Sequence, residues 1–109
     1  MSVRKSDDFI RDIEQQFNWY VKEAGWDLAE RYLAAVESAC RLLGRHPQLG
    51  PAGGFRHPRL LYWRFFLVSR PFHKHIIFYE IVGEDVLMRR SIHGKRDLPR
   101  RLLEPPQVA

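Results

Sequence analysis

Cysteine is nearly missing from this chain of 109 residues, where Cys40 stands alone. A lone thiol cannot close an internal disulfide, so the fold must rest on its packed core, and a reducing, cytoplasmic setting is expected. No Cys-x-x-Cys or His-x-x-x-His spacing occurs, which removes the usual frames for a zinc site. No apolar run approaches the roughly 20 residues of a membrane span. The polar start (Ser2, Arg4, Lys5, Asp7, Asp8) lacks a signal-peptide pattern, so no membrane association is expected. Glycine-rich phosphate loops and nucleophile elbows are also absent, because Gly50, Gly53 and Gly54 lack the strand-to-helix setting such loops need. No cofactor and no metal is implied. Negative charge is scarce too: 13 Asp and Glu face 18 Lys and Arg, for a net charge of +5.

A hydrophobic content of 45% and an aromatic content of 13% argue against disorder and supply one core. A single domain over residues 1–109 is expected, without repeats. Ser6 is a suitable N-cap, and Asp7 and Asp8 complement a helix dipole. Phe9, Ile10, Ile13, Phe17, Tyr20, Val21 and Ala24 then recur at helical spacing. Gly25 ends that helix, and Asp27-x-x-Glu30 resembles a capping box opening a second one. Ala29, Leu33, Val36, Cys40 and Leu43 form its buried stripe, and Gly44 and Pro47 close it. The spacing predicts an antiparallel helical hairpin over about 7–44, a loop over 44–60, strands over about 60–93 and a basic C-terminal tail over 94–109. The extended segments are Leu60–Val68, Phe72–Ile81 and Asp85–His93, and short turns between them imply an antiparallel meander. Ser2–Lys5 is a candidate edge strand. The fold class is therefore α+β, a two-helix hairpin packed on a small, mainly antiparallel sheet.

Both faces of that sheet are apolar. Trp63, Phe65 and Leu67 oppose Tyr62, Phe66 and Val68, and Ile77, Tyr79 and Ile81 oppose Ile76 and Phe78. One hairpin covers one face, so the other either receives a partner or lies beneath the chain's own loop and tail. Tyr62, Phe66, Val68, Ile76 and Phe78 are the candidate partner-facing set.

Chemistry concentrates where an apolar strand runs into Arg89-Arg90-Ser91-Ile92-His93-Gly94-Lys95-Arg96-Asp97. Arg90 shares a strand face with Val86, Met88 and Ile92, which demands either an ion pair, with Asp97 or Glu80 as partner, or a phosphate-binding role. His93 before Gly94 suits either acid–base chemistry or local capping. The excess of Lys and Arg through Arg100 and Arg101 favours an acidic partner, nucleic acid or protein, or serves as a solvated edge. His73 and His75, two apart on a strand, project to one side, yet no third ligand completes a metal set.

The segments Phe9-x-x-Asp12-Ile13, Tyr20-x-x-x-Ala24-Gly25, His46-Pro47-x-x-Gly50, Ile76-Ile77-Phe78-Tyr79 and Arg90 to Asp97 occur in this order and spacing. Together they resemble toxins of the RelE/ParE superfamily from bacterial type II toxin–antitoxin systems, over roughly Val3 to Leu103. The resemblance implies a cognate antitoxin, ParD-like with a ribbon-helix-helix DNA-binding part, in a heteromeric complex. It also implies one of two activities. ParE-like members inhibit DNA gyrase, whereas RelE-like members are ribosome-dependent mRNA endoribonucleases, usually aided by a C-terminal tyrosine or histidine. Here no tyrosine follows Asp97, and the His-Gly-x-Arg-Asp form looks more like the ParE side. The expected activity is therefore gyrase inhibition, with Arg90, His93, Arg96, Asp97, Arg100 and Arg101 as target-binding residues. The alternative is a nuclease using Arg90, His93 and Arg96, and a plain nucleic-acid-binding module is a third class.

Overall fold

Ser6 sets the first helix in place, its side-chain oxygen accepting the Phe9 N–H at 3.0 Å while Asp7 and Asp8 occupy the first turn. In a computed structural model, which describes residues 2–106, this helix (α1, Asp7–Ala24) lies between a short strand (β1, Ser2–Lys5) and a second helix (α2, Trp26–Arg45). Gly25 takes φ 94°, a conformation that favours glycine, and so turns the chain directly from α1 into α2. The expected capping box at Asp27 does not form. Helix α2 already begins at Trp26, which places Asp27 within the first turn, where its charge favours the helix dipole.

Three strands follow: β2 (Arg64–Leu67), β3 (His75–Val82) and β4 (Asp85–His93), then a one-turn helix (α3, Arg100–Leu103). Two strands are shorter than the sequence pattern predicts. Leu60 belongs to a 3-10 turn at Pro58–Leu60. Phe72 precedes β3 in a turn closed by its N–H to the Ser69 carbonyl at 2.9 Å. In consequence His73 is exposed in that turn while His75 is buried on β3, so the two histidines do not share a strand face. Residues 107–109 of the expected tail lie outside the described residues. No helix among those residues is long and apolar enough to cross a membrane.

The sheet order is β1-β4-β3-β2, with β1 parallel to β4 and the other pairs antiparallel. Phe65 pairs with Phe78 and Phe66 with Ile77. Phe66, Val68, Ile77 and Tyr79 therefore face the helices, together with Phe9, Tyr32, Val36, Cys40 and Leu43. Ile76 and Phe78 face the other way, with Trp63 and Phe65. The grouping of Tyr62, Phe66 and Val68 with Ile76 and Phe78 is thus wrong by one register position, which in a strand moves every side chain to the opposite face. Val68, Ile76 and Phe78 are buried and Phe66 is half-buried; Tyr62, 78% exposed, is the one member open to solvent. The second face is closed by the chain itself, through Phe55 and Leu60 from the loop and Leu98, Leu102 and Leu103 from the tail.

A bulge in β4 corrects one further expectation. Phe78 pairs with Arg90 but Tyr79 pairs with Met88, so Arg89 is an extra residue and the inside–outside alternation slips there. Val86 and Met88 pack on the helix side and Ile92 on the other. Arg90 accordingly does not continue the face of Val86 and Met88.

Candidate functional site at the uncovered edge of strand β4

Strand β1 ends at Lys5, opposite Met88, so from Arg89 onward β4 has no neighbouring strand on that side. Helix α1 closes in instead. The Ser6 N–H donates to the Met88 carbonyl at 3.0 Å, and the Ser6 hydroxyl donates to the Arg89 carbonyl at 2.9 Å. Asp12, further along α1, accepts the Ser91 N–H through Oδ2 at 2.9 Å. Side chains thus satisfy backbone groups that a fifth strand would otherwise engage.

Asp12 also holds Arg90, with Nε donating to Oδ2 at 2.7 Å and Nη2 to Oδ1 at 3.1 Å. The remaining nitrogen, Nη1, donates to the carbonyls of Arg101 at 3.1 Å and Leu102 at 3.3 Å, and to that of Glu104. These are the free carbonyls at the C-terminal end of α3, where a cation is favourable. Arg90 is 4% exposed and Asp12 8%. Burial pushes the Asp12 carboxyl above its ordinary value, against the pull of the Arg90 guanidinium and the Ser91 N–H. The partner of Arg90 is therefore Asp12, and neither of the expected ones. Glu80 pairs with Arg89, whose guanidinium lies 5.9 Å from the Trp63 ring centre, and Asp97 pairs with Arg100 at 3.1 Å.

Between α1 and the tail the same edge opens into a cleft of ≈ 590 Å³, with Trp19, Tyr20, Ser91, His93 and Arg101 on its walls. At its base the Tyr20 hydroxyl lies 2.8 Å from His75 Nε2. His75 is also flanked by Tyr32 and His93, with ring centres 4.9 and 4.8 Å away. Burial, with the neighbouring His93 second, lowers the His75 pKa to about 4, so the ring is neutral at pH 7. In a neutral ring one nitrogen donates and the other accepts, so Tyr20 and His75 share one proton between the hydroxyl and Nε2. Burial raises the Tyr20 pKa.

The other sequence-predicted residues divide by occupation. His93 is exposed at the cleft, and its carbonyl accepts from Arg101 Nη2 at 3.0 Å; Arg101 Nη1 reaches the Arg96 carbonyl at 3.1 Å. Arg101 thus ties the tail back onto the end of β4. Arg100 is engaged by Asp97 and by Glu104 at 2.7 Å. Asp97 adopts φ 63°, which turns the chain into the tail. Arg96 is exposed and forms no salt bridge among the described residues. Sequence reasoning missed the Tyr20–His75 pair, which joins α1 to β3. It also missed the β2–β3 turn as a neighbour of this site, although the antiparallel meander implies that His75 pairs with His93. No group of three or more His, Cys, Asp and Glu suited to a metal ion occurs among the described residues.

No curated protein matches the chain. Among solved structures, a chain of the "Chromosomal ParDE TA system from P. aeruginosa" superposes with a TM-score of 0.72 at 15% identity, covering 87% of this chain and 97% of that one. At that identity the likeness shows the fold. The family model for the "ParE toxin of type II toxin-antitoxin system, parDE" matches residues 3–98, which takes in both helices, the sheet and the Arg90–Asp97 motif. The chain therefore belongs to the ParE toxin family of type II toxin–antitoxin systems.

Proposed function

We propose that this toxin inhibits DNA gyrase in the cytoplasm and is neutralised by a cognate, ParD-like antitoxin. The observation that carries the reading is the fate of the three residues a nuclease would need, Arg90, His93 and Arg96. Arg90 is buried and committed to Asp12 and to the tail carbonyls, so its guanidinium can neither reach a transferring phosphate nor serve as the target-binding residue expected of it. His93 and Arg96 remain exposed, and a surface that grips a target needs no convergent catalytic set. Membership in the ParE family supports the same choice.

The antitoxin has two apolar features to engage. Trp26, 63% exposed, lies edge-on to the half-buried Phe17 with ring centres 5.8 Å apart, and Trp19, 54% exposed, stands at the cleft where β4 lacks a neighbour. An apolar side chain of the antitoxin can seat against Trp19 there.

A second reading, the ribosome-dependent endoribonuclease, is favoured by the Tyr20–His75 pair beside His93, which is capable of proton transfer. Purified gyrase, relaxed plasmid and the full chain decide between them. Loss of supercoiling with accumulation of cleaved DNA is the expected result. Intact supercoiling together with message cut in translating ribosomes, and abolished by Tyr20→Phe, would replace it.

A further inference from the structure

Two segments far apart in sequence form one end of the sheet. The Gly94 N–H donates to the Lys74 carbonyl at 2.8 Å, and His75 pairs with His93. The β2–β3 turn is thereby placed against the chain leaving β4. The turn contributes Arg70, His73 and Lys74, and the other segment Lys95 and Arg96, all exposed. Arg70, Lys74, Lys95 and Arg96 form no salt bridge among the described residues, and the one carboxylate in either segment, Asp97, is already engaged by Arg100. At the opposite end of the sheet the β3–β4 turn carries Glu84 and Asp85. This end therefore gathers cations without a free carboxylate among them.

Apolar anchors are missing from this end. Among the described residues the large exposed hydrophobic ones are Ile10, Trp19, Trp26, Leu49, Leu61, Tyr62, Leu67 and Val82, and none belongs to either segment. Protein interfaces take their affinity from buried aromatic and aliphatic anchors, so a protein partner is a poor match. Single-stranded nucleic acid is held by bases stacked on large aromatics, and this end offers only the small rings of His73 and His93. The four-residue α3 is too short to read a groove. Free guanidinium and ammonium groups without apolar or large aromatic partners suit one ligand chemistry, the phosphates of a duplex backbone.

We propose that Arg70, Lys74, Lys95 and Arg96 form a sequence-independent site for the phosphate backbone of duplex DNA. The proposal deepens the gyrase reading, since duplex DNA is that enzyme's substrate, but its test does not pass through gyrase. Anisotropy of a labelled short duplex is titrated with the full chain at several salt concentrations. Four phosphates neutralised give a log–log salt slope of about −3.6. The variant Arg70→Gln/Lys74→Gln should lower the slope magnitude by about 2 and weaken binding at least tenfold at low salt. The control Lys22→Gln/Arg31→Gln removes the same charge from exposed helix positions and should retain the slope. Absence of duplex binding, equal losses in both variants, or tighter binding to poly-glutamate than to duplex would each overturn the site, the last in favour of an acidic protein. Supercoiling inhibition without duplex binding would sink this proposal and leave the gyrase reading standing. Duplex binding without inhibition would do the reverse.

Discussion

The Arg90 guanidinium and the Asp12 carboxylate, on β4 and α1, meet in a two-point ion pair whose side chains are 5% and 6% exposed. Because Arg90 also holds the tail carbonyls, the pair joins helix, sheet and C-terminal segment at one point. Removing one partner leaves the other charge buried and unpaired. Asp12→Ala is expected to cost about 3–5 kcal/mol. The double replacement Asp12→Leu/Arg90→Met should recover more than half of that loss, because it removes the stranded charge as well. Urea midpoints of the three proteins check this, and a double variant no more stable than Asp12→Ala would show that the tail carbonyls matter more than the charge.

Tyr79 and Gly50 make a second junction. The Tyr79 hydroxyl donates to the Pro47 carbonyl at 2.7 Å and accepts the Gly50 N–H at 2.9 Å. A Cβ at Gly50 would lie 2.3 Å from the Phe65 carbonyl oxygen and 2.7 Å from the Tyr79 hydroxyl. The backbone oxygen belongs to β2 and has little room to retreat, so Gly50→Ala should destabilise by about 1–3 kcal/mol. Tyr79→Phe should cost a similar amount, about 1–3 kcal/mol, by leaving the buried Gly50 N–H without a partner. Thermal unfolding of both variants tests this, and a neutral Gly50→Ala would mean that the loop shifts freely.

That junction also shows what could be read from sequence. The pattern His46-Pro47-x-x-Gly50 and the tyrosine closing Ile76-Ile77-Phe78-Tyr79 are visible along the chain, but not that they touch. Helix positions were legible in part because a 3.6-residue period survives anywhere: Ala29, Val36, Cys40 and Leu43 are buried as their spacing predicts, whereas Leu33 is half-buried, Ile10 and Ala24 are exposed, and the fully buried Tyr32 lay outside the expected stripe. Strand faces were not, because both faces of β2 and β3 are apolar and a one-residue choice inverts them. The bulge at Arg89 left no mark in the residue types, and it changed the face of Arg90 and hence its partner. Asp12 was legible as part of a recurring segment; its role required the edge of β4 that β1 leaves uncovered.

Tyr32 is fully buried, and its hydroxyl, with the Ser91 side chain nearby, makes no hydrogen bond of normal geometry among the described residues. A buried hydroxyl without a partner costs stability, whereas the ring packs well against Tyr20, Phe72 and His75. Tyr32→Phe is therefore expected to leave stability unchanged or raise it by up to about 1 kcal/mol, an unusual sign for a core substitution. A loss beyond about 1 kcal/mol in denaturant unfolding would reveal a hydrogen bond to water or to Ser91 that the hydroxyl makes in solution.

His75 gives the fold a defined acid sensitivity. In the unfolded chain its imidazole takes up a proton near pH 6.5, whereas in the folded protein burial, with His93 beside it, delays this to about pH 4. Between those values the unfolded state binds more protons, so stability is complete above pH 6.5 and declines as the pH falls toward 4. The interval corresponds to about 3 kcal/mol as an upper figure, at roughly 1.4 kcal/mol per pH unit. Protonation makes Nε2 a donor, so the Tyr20 hydroxyl then accepts from it. Carboxylates titrate in the same range, so the wild-type curve must be compared with that of His75→Gln, which lacks the titrating ring. Unfolding free energies measured from pH 7 to pH 4 should fall more steeply for the wild type than for the variant. Parallel curves would mean that His75 titrates alike in both states, and that the ring is hydrated rather than enclosed.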